Sequence, residues 1–354
     1  MRRFDTGLTA ILLLGTAGNL LAQERYEVSG GLIAIYNLAG KISLEPGRGR
    51  SVTVEVTRGG SDARELTVER GALRGRATLR VIFPSDDIRY AAERGDVRTE
   101  LHVQDDGTFG DGDDEEWRGR GGHRVRISGR GAFEAWADLK VLVPEGQRIE
   151  VYLAAGGLGA TNVNGTVRLD AASADVTASG ITGPLTVDVG SGNVAVRSVT
   201  GDVDVDTGSG DVDVSGVRGD LLRIDTGSGN ATAGAVTTRT IEIDTGSGDV
   251  DLTGASAREV VLDTGSGTVR CSFGTNPEML DVDTGSGSVT LTLPATYGAV
   301  VDIEAGSGGV DLDFPLETRR MGRDHLSGTI GDGRGTLRVD TGSGRVRILR
   351  GQGG

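Results

Sequence analysis

The stretch VDVDTGSGDVDV, residues 203–214, contains the motif DTGSG, which recurs through the second half of the chain. The copies, aligned on the acidic residue, follow one another every 18–21 residues from position 170 to position 304, and one more lies near the end of the chain. A near-constant period of this length is typical of a solenoid in which each repeat forms one coil. Full copies start at Asp206, Asp225, Asp244, Asp263, Asp283 and Asp340, and degenerate copies at Asp170, Asp188 and Glu304.

Four columns of apolar residues accompany each copy, at positions −3, −1, +6 and +8 from the acidic residue. In the copy at Asp206 these residues are Val203, Val205, Val212 and Val214. Polar residues alternate with them, which predicts two short strands per repeat, each with one buried face. A hairpin would also place Gly-Ser-Gly between two strands, but the constant period favours a corner between the strands of one coil.

The columns therefore predict an all-β protein: a single-stranded parallel β-solenoid, or β-helix, of about ten coils of 18–21 residues. The solenoid is expected over residues 151–350, followed by a disordered tail at 351–354. Residues 23–150 alternate less regularly and predict an irregular β-rich N-terminal cap, in which 84–131 form a disordered, acidic, Gly-rich loop. A second loop, 314–328, is predicted to leave the last coils.

The first 22 residues have the features of a secretory signal peptide: Arg2 and Arg3, a short apolar run from Leu8 to Leu14, and a cleavage site at Leu20-Leu21-Ala22. No later segment approaches the length of a membrane-spanning helix. We therefore expect an exported protein, periplasmic, extracellular or at the cell surface, with no integral membrane segment in the mature chain.

The motif Asp-Thr-Gly also occurs in pepsin-like proteases, where two aspartates in a cleft share a proton. Copies in register would instead form a row of side chains, so we interpret DTGSG as architecture and expect no catalytic residue and no enzyme activity. The aspartate is predicted to accept hydrogen bonds from the amides of the turn. The predicted turn residues are Asp206, Gly208, Ser209, Gly210, Gly227, Gly229, Gly246, Gly248, Gly265, Gly267, Gly285 and Gly287.

Stacked aspartates about 5 Å apart repel one another by about 1 kcal/mol per pair even in water. Divalent cations bind carboxylate oxygens, so weak Ca²⁺ sites along the column are an alternative to a purely structural role. The sequence otherwise indicates no cofactor. The candidate cation ligands are Asp206, Asp225, Asp244, Asp263 and Asp283.

Other candidate sites are weak. Residues 105–116 have the glycine and glutamate of an EF-hand loop at the sixth and twelfth positions, but Gly107 stands at the third, so we predict a solvated acidic loop. Cys271 lies on an inward column and is interpreted as a small buried apolar residue. No metal-ligand spacing joins the three histidines, and two lone tryptophans are a weak signal for sugar binding. These residues are His102, His123, His325, Trp117 and Trp136.

Composition narrows the class of protein. The 354 residues include 60 glycines and only 4% aromatic residues, and the net charge is −14. An acidic surface argues against nucleic acid as a partner. With a single cysteine the chain forms no internal disulfide, so an exported protein of this kind depends on its stacked strands for rigidity.

The stretch LKVLVPEGQRIEVYLAAGGLGATNVNG (139–165), followed by repeated xVDxGSGxVxV units up to Arg350, resembles the bacterial putative-adhesin family. That family is an exported group of unknown function rich in β-solenoid coils, and the resemblance covers residues 30–350. The resemblance implies surface adhesion. The family has no catalytic residues that could be assigned to positions of this sequence.

Together these observations predict a non-enzymatic exported β-solenoid that binds or scaffolds in the cell envelope or outside the cell. Its partner would be an envelope component, a glycan or a surface protein, which the sequence does not identify. Two alternatives stay open: a polysaccharide-acting β-helix enzyme, and a scaffold that assembles end to end.

Overall fold

The computed structural model describes residues 23–91, 98–110, 121–322 and 324–351. Apart from one short 3₁₀ helix, Ala63–Glu65, every regular element in these residues is a β-strand, which confirms the predicted fold class. No helix among them is long and apolar enough to cross a membrane. The predicted signal peptide lies outside the described residues, as do residues 352–354 of the predicted tail.

Ten strands precede the main run of coils. Most of them belong to the large sheet that forms the solenoid, and four form a small separate sheet. In chain order they are β1 (Glu24–Val28), β2 (Leu32–Pro46), β3 (Val52–Gly59), β4 (Thr67–Leu73), β5 (Arg76–Ile82), β6 (Asp87–Arg89), β7 (Arg98–Val103), β8 (His123–Ser128), β9 (Phe133–Glu134) and β10 (Trp136–Val143).

Twenty strands follow, and most of them come in pairs that make one coil. The first two coils of this run are single long bent strands, β11 (Gln147–Thr161) and β12 (Gly165–Ser179). The others are β13 (Leu185–Ser191), β14 (Val194–Thr200), β15 (Val203–Ser209), β16 (Val212–Arg218), β17 (Leu221–Thr226), β18 (Ala231–Gly234), β19 (Thr240–Thr245), β20 (Val250–Ala255), β21 (Glu259–Thr264), β22 (Val269–Phe273), β23 (Met279–Thr284), β24 (Val289–Leu293), β25 (Ala299–Glu304), β26 (Val310–Leu312), β27 (Leu316–Met321), β28 (His325–Ile330), β29 (Gly335–Thr341) and β30 (Val346–Arg350).

Neighbouring coils stack in parallel and in register, as the columns predict. Asp206 pairs with Asp225, and Val212 pairs with Ala231 one coil further on. Strands before Gly-Ser-Gly form one face of the solenoid, here called the first face, and strands after it form the second face. The residues of the four apolar columns are almost all fully buried, and they build one continuous core between the faces.

Each central coil has a third, short side that the four columns do not indicate. Single bridges connect it from coil to coil, for example Thr182 with Thr200 and Thr237 with Ser256. The residue before each bridge points inward and is buried, so the coil is triangular in outline. These buried residues are Val163, Ile181, Val199, Val217, Val236 and Ala255.

The first coil of the stack is β2, which belongs to the region predicted as a cap. It pairs in parallel with β11, and residues 47–146 are inserted between these two neighbouring coils. β2 carries the repeat pattern, with Ile33 and Ile35 before Tyr36 and with Ile42 and Leu44 after Gly40. The solenoid therefore has eleven coils, beginning at residue 32 and not at 151.

The prediction of a disordered loop over 84–131 is wrong for the part of this span that the structure describes. β6, β7 and β8, together with β9, form a four-stranded sheet. Ile88, Val125 and Ile127 are fully buried in it, and this apolar alternation is what allows the segment to fold. Residues 92–97 and 111–120, which include most of the acidic run, lie outside the described residues.

The last coils do not stack in chain order. β29 pairs in parallel with β23 on one side and with β25 on the other, and β30 lies in the same way between β24 and β26. The coil of residues 335–350 thus fills a gap between the coils of residues 279–293 and 299–312. The predicted loop at 314–328 is mostly the antiparallel hairpin β27–β28, which extends the first face beyond β25.

The N-terminal end of the stack, and the first face at its C-terminal end, finish in antiparallel strands with charged side chains. The second face ends instead in the parallel strand β26. β3 and β1 close the second face at the N-terminal end, and β5 and β4 close the first face. Charged residues on such edges oppose further strand pairing. They are Glu24, Arg25 and Glu27 on β1, Glu69 and Arg70 on β4, and Glu317, Arg319 and Arg320 on β27.

Candidate functional site

The most regular surface of the molecule is a row of acidic side chains on the first face, here called the acidic column. Its members pair directly from strand to strand and are half-buried or exposed. With strands about 4.8 Å apart, eight rungs extend over about 34 Å. In spatial order the column is Asp188, Asp206, Asp225, Asp244, Asp263, Asp283, Asp340 and Glu304.

A row of exposed serines, the central residues of the Gly-Ser-Gly corners, runs parallel to the acidic column. Each coil therefore presents one carboxylate and one hydroxyl at equivalent positions. The serines are Ser191, Ser209, Ser228, Ser247, Ser266, Ser286, Ser343 and Ser307.

The corner is held by the threonine of DTGSG and not, as predicted, by the aspartate. The hydroxyl of Thr264 donates to the Gly248 carbonyl of the preceding coil at 2.9 Å and accepts the Gly267 amide at 3.0 Å. Thr226, Thr245, Thr284 and Thr341 repeat this pair of bonds. Because the threonine points inward and is fully buried, both backbone groups are satisfied inside the corner. The aspartates point outward and cap no turn among the described residues.

Asp206, whose motif starts the run of full copies, lies in a corner of different geometry. β13 and β15 continue through Ser191 and Ser209, and the buried hydroxyl of Thr207 has no hydrogen-bond partner among the described residues. The coil on which this corner stacks has Val189 where the full copies of the motif have threonine. The hydrogen-bonded corner begins with the next copy, at Thr226, where the period also changes from 18 to 19 residues.

The predicted turn glycines are required because neighbouring corners approach one another closely. A Cβ atom on Gly248 would lie 1.8 Å from the carbonyl oxygen of Gly229. On Gly267 it would lie 1.7 Å from that of Gly248. These distances are far below contact, so any side chain at these positions would push the coils apart. Gly210, in the earlier type of corner, also has a positive φ of 150°.

At three rungs of the acidic column the surroundings disfavour the ionised carboxylate. Partial burial, followed by the charge of neighbouring aspartates, raises the pKa of Asp206, Asp244 and Asp263 above the ordinary value. Arg223, 3.8 Å from Asp225, opposes this effect locally. The folded protein thus holds a row of like charges close together and stabilises only part of it with arginine.

A second row of polar side chains links the coils at the start of the second face. The Asn193 side-chain oxygen accepts the Asp211 amide, and the Asp211 carboxylate accepts the Asn230 amide, at 3.0 and 2.9 Å. Asp175, Asn230 and Asp249 make the same bond to the coil that follows each of them. This corner ladder uses side-chain oxygens to satisfy backbone amides, as an Asx turn does within one chain segment.

At its N-terminal end the acidic column continues as Asp170, Tyr152 and Tyr36, and there it is covered. The two tyrosine rings stack at 4.5 Å, and Phe109 contacts Tyr36 edge-on at 5.8 Å. Gly110 lies against Tyr152 and Asp170, so the segment after β7 folds over this part of the first face. Only the rungs from Asp188 onward present their acidic side chains to solvent.

Along its described rungs the acidic column repeats carboxylates and does not combine unlike side chains. The carboxylates lie side by side along one face and not across a cleft, unlike the facing pair of an aspartic protease. Within the described residues, no group of three or more histidine, cysteine, aspartate or glutamate side chains is placed to hold a metal ion. The candidate Ca²⁺ ligands Asp206, Asp225, Asp244, Asp263 and Asp283 form a single row and no cage.

The remaining candidate residues do not form one cluster among the described residues. Cys271 is buried on its inward column, as predicted, and burial raises the pKa of its thiol. His102 and His123 lie on the paired strands β7 and β8, where they contact the Gly121 carbonyl and Asp86. His325 lies on β28 and contacts Asp302 and Glu304 of β25. Trp136 packs against Tyr90 in the core of the inserted region.

The loop with EF-hand-like spacing is described as far as residue 110. The Asp106 carboxylate accepts the Thr108 amide and hydroxyl, and the Asp105 carboxylate accepts the Gly122 amide. Asp106 therefore acts in a local turn, and Asp105 links this loop to the segment that precedes β8. The rest of this loop and Trp117 lie outside the described residues.

Comparison with known proteins gives a family match and a distant likeness to a solved structure. The model of the family described as Toastrack DUF4097 matches residues 86–349, which include all coils from the second to the last. No curated protein matches. A crystal structure of a "putative cell adhesion protein" from Clostridium sporogenes is 10% identical, with 93% of this chain and 99% of that chain covered and a TM-score of 0.21.

Proposed function

The chain belongs to the Toastrack DUF4097 family, and from this premise we propose that it is a non-enzymatic binding or scaffold protein of the cell envelope or the cell surface. The observation that carries the proposal is the repetition of one carboxylate and one serine hydroxyl on eight successive coils. A rigid surface that presents the same groups every 4.8 Å or so suits a partner that is itself repetitive, such as a glycan chain or an array of envelope proteins.

Repetition supports binding because many weak contacts add up. Once one rung has engaged a repetitive partner, the neighbouring rungs meet it at high effective concentration, and the overall affinity exceeds that of any single contact. The stacked backbone keeps the rungs in fixed register, so little conformational entropy is lost when the partner binds. This mode of binding requires no single indispensable residue.

The uniformity of the surface favours binding over catalysis. A polysaccharide lyase or hydrolase needs two or three unlike groups that converge on one bond, such as an acid and a base at a defined separation. On this solenoid, the acidic column repeats a carboxylate and the serine row repeats a hydroxyl from coil to coil. The charged edge strands β1, β4 and β27 similarly disfavour end-to-end strand pairing at three of the four edges of the described stack.

Export of the mature chain belongs to the same proposal. It rests on the basic and apolar pattern of residues 1–22. Fractionation of cells that express the full chain, with an antibody against the solenoid, tests it directly. We expect the protein outside the cytoplasm and shortened at its N-terminus, and intact protein in the cytoplasm would contradict this part of the proposal.

The function is tested by screening residues 23–354, labelled, against immobilised glycans and envelope fractions. We expect binding that survives Asp225→Asn alone and falls steeply when Asp225, Asp244 and Asp263 are all changed to asparagine. A matched control variant changes three polar residues of the second face, Thr232, Asp251 and Thr253, to alanine, and it should retain binding.

The same screen separates the proposal from its alternatives. Release of new reducing ends from any bound glycan, abolished by one substitution, would show an enzyme. Fibres that lengthen with protein concentration, seen by electron microscopy, would show an end-to-end scaffold. If only the second-face control lost binding, the partner would contact the second face and not the acidic column, which would contradict the proposal.

A further inference from the structure

The coil of residues 335–350, here called the C-terminal coil, fills a gap that the preceding chain leaves open. After Leu293 the chain bypasses one coil position, builds the coil of residues 299–312 and the hairpin β27–β28, and then returns. The C-terminal coil pairs on both sides with strands that precede it in sequence. It is therefore held as an inserted segment between two preformed edges.

Charge explains why this coil occupies the gap. It carries four arginines and one aspartate, a net charge of +3, while the coils on its two sides carry −2 and −3. Arg338 lies in register between Asp281 and Asp302, and Arg345 forms an ion pair of 3.3 Å with Asp311. Stacking in chain order would instead place Asp302 directly against Asp281.

The corner threonine gives a second reason for this order. Thr341 donates to the Gly287 carbonyl of the neighbouring coil at 2.9 Å. The coil of residues 299–312 has Ala305 at the equivalent position, and alanine has no hydroxyl to donate. Placed directly on residues 279–293, that coil would leave the Gly287 carbonyl without this bond. The gap thus recognises the C-terminal coil by charge and by hydrogen bonding.

The connection to the C-terminal coil is a short exposed turn. Residues 331–334 contain Gly331 and Gly333, both with positive φ, and the side chain of Arg334 is 87% exposed. Such a turn can extend without breaking any part of the core. An identical segment from a second molecule carries the same arginines and the same threonine, so it meets all the requirements of the gap.

We propose that the C-terminal coil is exchangeable between copies of this chain, closing either its own gap or that of a second copy and thereby joining two molecules into a coil-swapped dimer. Exchange of an identical element is a low-cost route to dimers because every contact in the gap is reproduced. The resulting dimer is closed, since each copy gives one coil and receives one. Salt favours opening of the gap by weakening the ion pairs that surround it.

The test introduces Asp281→Cys and Arg338→Cys, which lie opposite each other across the boundary of the C-terminal coil. Strand spacing of about 4.8 Å falls within the Cα separation of disulfides. The reduced protein is incubated at several concentrations in high salt, oxidised, and examined on a denaturing gel without reductant. A swapped pair gives a covalent dimer, and an unswapped chain gives an internally linked monomer.

Asp204→Cys with Arg223→Cys is the matched control, because these residues are opposite each other in the same column of a central coil. We expect the ratio of covalent dimer to monomer for the test pair to rise about tenfold with a tenfold increase in concentration while dimer is the minor species. The control pair should stay monomeric. Monomer alone from the test pair, or equal dimer from both pairs, would overturn the proposal.

Hydrogen exchange of the unmodified protein provides a second measurement that needs no substitution. Opening of the gap should let the amides of residues 335–350 exchange faster than those of residues 221–234, and high salt should increase this difference. Equal protection of the two segments, unchanged by salt, would show that the C-terminal coil does not leave its gap.

Discussion

The role of the buried corner threonine leads to a quantitative prediction for Thr264→Val. Valine keeps the shape of threonine and removes its hydroxyl, so the Gly248 carbonyl and the Gly267 amide both lose a buried hydrogen bond. Leaving a buried polar group unpaired costs about 1–3 kcal/mol. We therefore expect Thr264→Val to lower the free energy of unfolding by about 2–6 kcal/mol, since two such groups are affected.

The chain provides two controls for this prediction. Thr264→Ser keeps both bonds and removes one methyl group, which costs about 1 kcal/mol. Thr207→Val removes a hydroxyl that is equally buried but has no partner among the described residues, so it should be neutral or stabilising. Urea unfolding measures the stability of all three variants. Because long repeat proteins need not unfold in a two-state transition, hydrogen exchange is used to localise the change. Equal losses from Thr207→Val and Thr264→Val would refute the reasoning.

Three further predictions concern the corners and the acidic column. Gly248→Ala should destabilise the protein severely, because its Cβ would lie 1.8 Å from the Gly229 carbonyl oxygen, whereas Gly234→Ala, with no atom within 4 Å, should be tolerated; thermal melts compare the two. Because the pKa values of Asp244 and Asp263 are raised in the folded state, the stability linked to their protonation is present below about pH 4 and lost as the pH rises through the folded pKa. Changing both to asparagine should thus raise the melting temperature at pH 7 and not at pH 3, and a gain of the same size at both pH values would contradict the electrostatic explanation. Calcium should raise the melting temperature no more than NaCl of equal ionic strength, because the described carboxylates form a row without a cage, and a larger rise that a chelator reverses would show a specific site.

The central coils were predictable from sequence because every local signal agreed. Alternating valines, Gly-Ser-Gly corners and a constant period all indicate the same parallel stack, and the observed register of Asp206 with Asp225 follows from them. The turn amides were assigned to the aspartate and not to the threonine because either residue, placed before a glycine, can cap a turn. Only burial, which the sequence does not show directly, distinguishes the inward threonine from the outward aspartate.

The order of the coils was not predictable from the repeat alone. The first coil, around Tyr36, has the correct apolar spacing but lies more than a hundred residues before its neighbour in the stack. At the other end, the pattern around Glu304 fits the core as well as that around Asp340 does. What distinguishes them is the charge of each coil and the change from Thr341 to Ala305, and these signals become informative only once the neighbouring coils are known.

The corner ladder of Asp175, Asn193, Asp211, Asn230 and Asp249 has a consequence for how such a gene can change in length. Each side chain bonds to the equivalent position of the next coil, so both partners of every bond belong to the same column. Duplication or deletion of one 19-residue unit among the central coils would bring together two coils whose ladder residues already form this hydrogen bond. The stack can therefore lengthen or shorten by whole units without new compensating substitutions, while its two dissimilar ends stay unchanged.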